Sequence, residues 1–154
     1  MIFDKQATFA LATSVAAAGG TTTLIGNVID LGSVSSDIGN GEPIYLVIQT
    51  DTEIITAGTA GTIQFKLASD AQAAITTGFT EHLASAVFVT DDAAVNSDAL
   101  NVGGSIMVAA LPNGTYERYL GIMAIVVTTE VTAGKINAFL THDVSKWVAL
   151  PDAI

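Results

Sequence analysis

The side chains that could do chemistry are few. The chain has two histidines, His82 and His142, one arginine, Arg118, and no cysteine. Each histidine stands beside an acid, Glu81 or Asp143, and an imidazole next to a carboxylate is the beginning of a metal site or a general base. Adjacent residues of a strand point to opposite faces, however, so neither pair is a ready ligand set. The acid pairs Asp51/Glu53 and Asp91-Asp92 are of the type that holds Ca²⁺, but the Asp-rich loop with its fixed glycine is missing, and solvated turn carboxylates are expected instead. Ser105 follows Gly103-Gly104, yet Met107 stands where a nucleophile elbow requires its last glycine. Gly39-Asn40-Gly41 lacks a third glycine and leads into a strand, which is not how a phosphate loop is built. Asn113-Gly114-Thr115 matches a glycosylation acceptor in form, but with no leader sequence ahead of it the segment reads as a turn. The expectation is a protein that is not an enzyme and holds no cofactor or metal.

Two features go beyond this bland reading. Arg118 sits in Tyr116-Glu117-Arg118-Tyr119, and a guanidinium flanked by tyrosines suits stacking and carboxylate pairing at an interface. A surface ion pair with Glu117 or a loop acid accounts for it equally well. Tyr45, Arg118 and Tyr119 are therefore the candidate self-association residues. The second feature is a pair of apolar termini, with Ile2, Phe3 and Phe9 at one end and Trp147, Val148, Leu150 and Ile154 at the other. Such residues either cap the ends of the fold or dock on a neighbour. Docking is the preferred reading, with Ile2, Phe3, Phe9, Trp147, Leu150 and Ile154 as its candidate residues.

Composition narrows the partners. Fifteen acids face five bases, a net charge of −10, and charged residues make up only 13% of the chain. Four lysines and one arginine cannot displace the counterions of a nucleic acid, and an anionic membrane is disfavoured for the same reason. Half the residues are apolar, which argues against disorder. The apolar runs are short, six residues at Ile122 to Val127, far below the roughly 20 that span a bilayer. Met1 to Leu11 carries Asp4 and Gln6 where a secretory leader would be apolar, so a soluble, unprocessed chain is expected. The length suits one domain over residues 1–154.

The elements that would position these residues read as strands. Met1 to Gly20 is an arm, with a short helix at Asp4 to Leu11 or an extended course both open. Leu24 to Leu31 is a strand, and Ser33 to Asp37 a loop. Ile44 to Gln49 is a strand that starts after Pro43 and stops at Asp51-Thr52. Gly61 to Ala68 alternates cleanly, with Ile63, Phe65 and Leu67 on one face. Ser69 to Glu81 carries an N-cap and an alanine-rich stretch, which predicts one or two helical turns. Ala84 to Thr90 is a strand, and Asp91 to Asn101 a polar loop. Ser105 to Leu111 and Tyr116 to Thr128 flank Asn113-Gly114, the signal of a hairpin. The second of these is apolar on both faces and should be central and covered twice. Ala133-Gly134 reads as a turn before a last strand, Ile136 to Val144, and the tail runs from Ser145 to Ile154. Seven or eight strands without a sustained helix predict an all-β, two-sheet antiparallel sandwich of Greek-key or jelly-roll type.

Several short motifs occur in a familiar order: Asn27-Val28-Ile29-Asp30-Leu31-Gly32, Gly41-Glu42-Pro43-Ile44-Tyr45, Glu117-Arg118-Tyr119-Leu120, then Trp147 and Pro151-Asp152. In this order and spacing the chain resembles the small capsid cement, or decoration, proteins of short-tailed bacteriophages, of the jelly-roll type found on the Bordetella phage head. The resemblance runs from about Asn27 to the end. It implies a jelly-roll subunit that forms a small oligomer, a dimer or a trimer, on the outer surface of an icosahedral head. There it would bridge major capsid protein subunits against the pressure of packaged DNA, after synthesis in the bacterial cytoplasm. The rival readings are another virion structural or fibre-associated β-sandwich and a carbohydrate-binding module.

Overall fold

The structure is a computed structural model, and it describes residues 5–33, 41–56, 58, 61–90 and 97–144. Nine strands run in chain order: β1 (Thr8–Ser14), β2 (Thr21–Asp30), β3 (Tyr45–Thr56), β4 (Thr62–Asp70), β5 (Thr80–Ala84), β6 (Phe88–Val89), β7 (Ser105–Ala110), β8 (Tyr119–Val127) and β9 (Val131–Thr141). Among the described residues the only helical elements are 3₁₀ turns at Lys5–Ala7 and Asp98–Leu100. One sheet has the order β1-β9-β3-β7 and the other β2-β8-β4-β5, with β6 also paired to β4. β6 pairs with Thr62 and Ile63, and β5 with Lys66 to Ser69, along the same strand β4. They are two parts of one edge strand, broken at Ser85–Val87. Counted so, the chain alternates between the sheets at each step except from β4 to its neighbour. That winding of eight antiparallel strands is a jelly roll, as expected.

The main core lies between the sheets. Ile63, Phe65 and Leu67 point into it from β4, and Leu120, Ile122, Ala124 and Val126 from β8, as their alternation requires. The other face of β8 is covered as far as Met123, while Ile125 is partly and Val127 about half exposed. Met123 packs there with Ala68 and Ile75, and with the partly buried Leu24, Val28, Phe79 and Tyr119. Gly121 makes the room: a Cβ on it would lie 2.7 Å from Ile75 Cδ1 and 2.8 Å from Leu24 Cδ1.

Several expectations are corrected. The predicted helix at Ser69 to Glu81 does not form. β4 continues to Asp70, whose carboxylate accepts the Gln72 N–H at 2.9 Å and bends the chain. Residues Ala71 to Ala74 are exposed on every side and offer no apolar stripe. Ile75 alone turns inward, at φ +41°, to seal the outside of β8. Asp51-Thr52 does not stop β3, because β9 pairs with it through Thr56 and the register shifts there absorb the polar residues. Ala133-Gly134 is not a turn but part of β9. Gly134, at φ +135°, lies so close to Ile54 that a Cβ would come within 2.8 Å of its backbone, and the reversal occurs at Thr128–Glu130 instead. The N-terminal arm is in large part β1, a full member of the sandwich. Strand Ala84 to Thr90 is divided between the ends of β5 and β6.

The expected hairpin is also absent. β7 pairs with β3 in one sheet and β8 with β2 and β4 in the other, so residues 111–118 cross between sheets. Pro112 has no N–H for a ladder, and Tyr116 is fully buried with its hydroxyl donating to the Pro112 carbonyl at 2.7 Å. The turn residues are present, but burial of Tyr116 draws the chain across the core edge.

The two sheets meet at their β1 and β2 edges through Gly26. It adopts φ +72°, and a Cβ there would run into the Phe9 carbonyl oxygen. Gly26→Ala is expected to destabilise the protein by about 2–3 kcal/mol, from backbone strain plus overpacking. Gly32→Ala, at φ +96° with open space around it, should cost about 1 kcal/mol. Urea midpoints of the two variants check this, and equal losses would remove the role assigned to the Phe9 contact.

Candidate functional site

The candidate residues that the structure describes lie in three places. Asp30 ends β2 and is paired in register with Tyr119, the first residue of β8. Arg118 just precedes β8. Its Nε donates to Asp30 Oδ1 at 2.9 Å and its Nη2 to Oδ2 at 2.8 Å, a two-point fork that fits a carboxylate plane. The same Asp30 Oδ1 accepts the Gly32 N–H at 2.9 Å, and Leu31 N–H donates to the Arg118 carbonyl at 2.8 Å. The guanidinium also lies 4.9 Å from the centre of the Tyr119 ring, within cation–π range. Arg118 thus pairs with a strand-end acid of its own chain, neither Glu117 nor a loop acid. It fastens the edge strand β2 to β8.

Tyr119 belongs to the apolar cluster outside β8. Tyr45 opens β3 in the opposite sheet, half-buried between Ala110 and Thr141. The structure therefore joins Arg118 and Tyr119 and leaves Tyr45 in the other sheet. Of the candidate docking residues, Phe9 is fully buried in the main core, where β1 faces it inward. Ile2, Phe3, Trp147, Leu150 and Ile154 lie outside the described residues.

Two surfaces were not singled out from the sequence. On the outer face of the five-stranded sheet, Val127, Thr62 and Val89 are neighbours across three strands, and both valines are about half exposed. Gln64 and Ile125 form the next row, paired with Thr22. None of these six carries a charge, on a chain with a net charge of −10. Alternation did mark Val127 as facing away from Val126, but only the pairing places it beside Val89. The second surface is a groove of about 760 Å³ along the β1–β2 seam, lined by Lys5, Ala7, Thr8, Asn27, Ile29 and Leu140 among others.

A serine–histidine contact is not legible in the sequence, where Ser69 or Asp70 reads as a helix N-cap. Ser69 Oγ lies 2.7 Å from His82 Nε2. The oxygen is fully buried and accepts the Glu117 backbone N–H at 3.1 Å. The groove along the β1–β2 seam does not reach it, so the pair joins strands and is not presented to a substrate there. Among the described residues no three histidines or acids are grouped to hold a metal ion. No helix among them is long and apolar enough to cross a membrane.

Against known proteins, a family model described as Bbp16 matches residues 9–140. The matched span begins at Phe9 in β1 and ends at Leu140 in β9, the first and last strands of the sandwich. No curated protein matches the chain.

The fork with Arg118, and after it the Gly32 N–H, holds the Asp30 carboxyl at about 2, below the ordinary 3.8. A carboxyl lowered in the folded state stabilises that state fully above about pH 3.8 and loses the effect as pH falls toward about 2. In Arg118→Gln, carboxyl-carbon NMR should find the Asp30 midpoint moved up toward 3.8. An unchanged midpoint would assign the shift to the Gly32 bond alone.

Proposed function

The chain belongs to the Bbp16 family, and on that premise we propose that it is a structural protein of a phage particle, specifically a cement protein on the outside of the head. The observation that carries this reading is the family match across the whole sandwich, in a chain whose motifs resemble phage cement proteins. The partners are the major capsid protein and further copies of the chain itself, as a dimer or a trimer. Nucleic acid and membranes are not partners, and the protein is not an enzyme.

The physics of such a role is simple. A protein that binds the assembled shell and not its free subunits adds its binding free energy to the shell. Many copies with modest interfaces suffice, because each must be released before its seam opens. The uncharged rows around Val127 and Val89 support the reading, since a chain this acidic meets another copy of itself at least cost where no charge has to be desolvated. The apolar termini remain the first candidates for docking on the shell. An alternative, carbohydrate binding, calls for aromatic side chains along a groove, and the groove at the β1–β2 seam is lined by none. A different place in the virion, on a fibre or its base, is the remaining alternative.

The test is co-sedimentation with phage heads that lack the protein, followed by heating of the heads. Bound protein should raise the temperature at which the heads release DNA. Deleting residues 147–154 or 1–4 should weaken binding and leave the β-type circular dichroism unchanged. The N-terminal deletion stops before β1, since Phe9 and Ala10 are core residues. No binding by the full chain overturns the cement role. Full binding by both deletions overturns only docking by the termini, and Val127→Asp then asks whether the sheet face serves instead.

A further inference from the structure

His82 lies on β5, at the edge of the five-stranded sheet, with its Nε2 against the buried Ser69 hydroxyl of β4. That oxygen already accepts the Glu117 N–H. A hydroxyl has one proton to donate, and His82 Nε2, at 2.7 Å, is in reach to take it. The neutral imidazole therefore receives at Nε2 and keeps its own proton on Nδ1. The ring also stacks on Tyr116, with centroids 4.0 Å apart and planes inclined by 27°. Tyr116 and Glu117 belong to the segment that crosses from β7 to β8. One imidazole thus ties the edge strand to the crossing between the sheets.

We propose that His82 is a pH-sensitive latch, closed when neutral and opened when the ring takes up a proton. The proton goes to Nε2, the one ring nitrogen without one. Nε2–H then faces Ser69 Oγ, which must accept it beside the Glu117 N–H. The hydroxyl proton of Ser69 loses its acceptor, and because the group is fully buried, solvent supplies no other. The buried donor left without an acceptor destabilises the closed arrangement, and it is relieved when β5 moves off Ser69 and the Glu117 bond to the same oxygen opens with it.

The charges around the ring act in both directions. Glu117, on the crossing segment, favours the protonated ring, and so does the face of Tyr116. Glu81, on the ring's own strand, is occupied by Lys66 of β4 at 2.5 Å. Asp70, at the end of β4, accepts the Gln72 N–H. Burial outweighs the attraction of Glu117 and pushes the imidazole below its ordinary 6.5. The unfolded chain then binds more protons than the folded one. The latch stabilises the fold fully above about pH 6.5 and weakens as pH falls through that value toward the lower folded one.

The experiment follows the His82 ring protons and the Glu117 amide by NMR from about pH 7.5 to about pH 5. Glu117 hydrogen exchange, corrected for its intrinsic pH dependence, should quicken about tenfold as His82 titrates, with one shared midpoint. In Ser69→Ala the neutral ring loses its donor, so its midpoint should rise. In His82→Asn the step at Glu117 should vanish, while His142→Asn should retain it. The latch is overturned by a Glu117 step that persists in His82→Asn, or by a His82 titration that leaves Glu117 exchange unchanged. If His82→Asn fails to fold, the shared midpoint in the unaltered chain decides.

Discussion

A strand that is apolar on both faces loses burial energy wherever either face is left open, and β8 is such a strand, covered on its outer face as far as Met123. Its inward residues, Leu120, Ile122, Ala124 and Val126, complete the main core. Its outward Met123 needs a second cover. Burial of each large apolar side chain is worth about 1.5–3 kcal/mol, so covering one face and wetting the other would forfeit much of the gain. Much else follows. β2 and β4 flank β8 on both edges, the segment after β4 folds back so that Ile75 seals the outside, and Gly121 supplies the space for it. The alanine-rich stretch is denied a helix by this demand.

Two of the five bases tie strands together. Arg118 holds the end of β2 to β8, and Lys66 holds Glu81 across β4 and β5. Both pairs are partly solvated, so each adds modestly to stability. Their larger effect is positional. They pin the edge strands of the five-stranded sheet beside the outer face where the uncharged rows lie. The net acidic charge, the two uncharged rows of the sheet and the match to the Bbp16 family are the features on which the proposed role rests.

The crossing segment between β7 and β8 shows how far local pattern reaches. Asn113-Gly114 is a true reversal signal, and the strands on either side of it were correctly located. The pairing was not, because a hairpin and a sheet-to-sheet crossing share the same local chemistry. Burial of Tyr116 against His82 chose between them. The same limit hid the Ser69–His82 contact, whose members are thirteen positions apart and meet only through the β4–β5 register.

Composition and period-2 alternation by themselves determined the all-β class and the faces of β4 and β8, because these depend on residue type and nearest neighbours along the chain. The oddity of Arg118 was legible too, but not that its partner was Asp30, eighty-eight positions away. Only the tertiary structure decided the sheet order, the course of β3 through Asp51, the burial of Phe9, the cover provided by Ile75 and the row formed by Val89 and Val127. Each of these is a contact between residues distant in sequence. Such contacts are settled by which faces must be buried together, and one strand read alone does not contain that information.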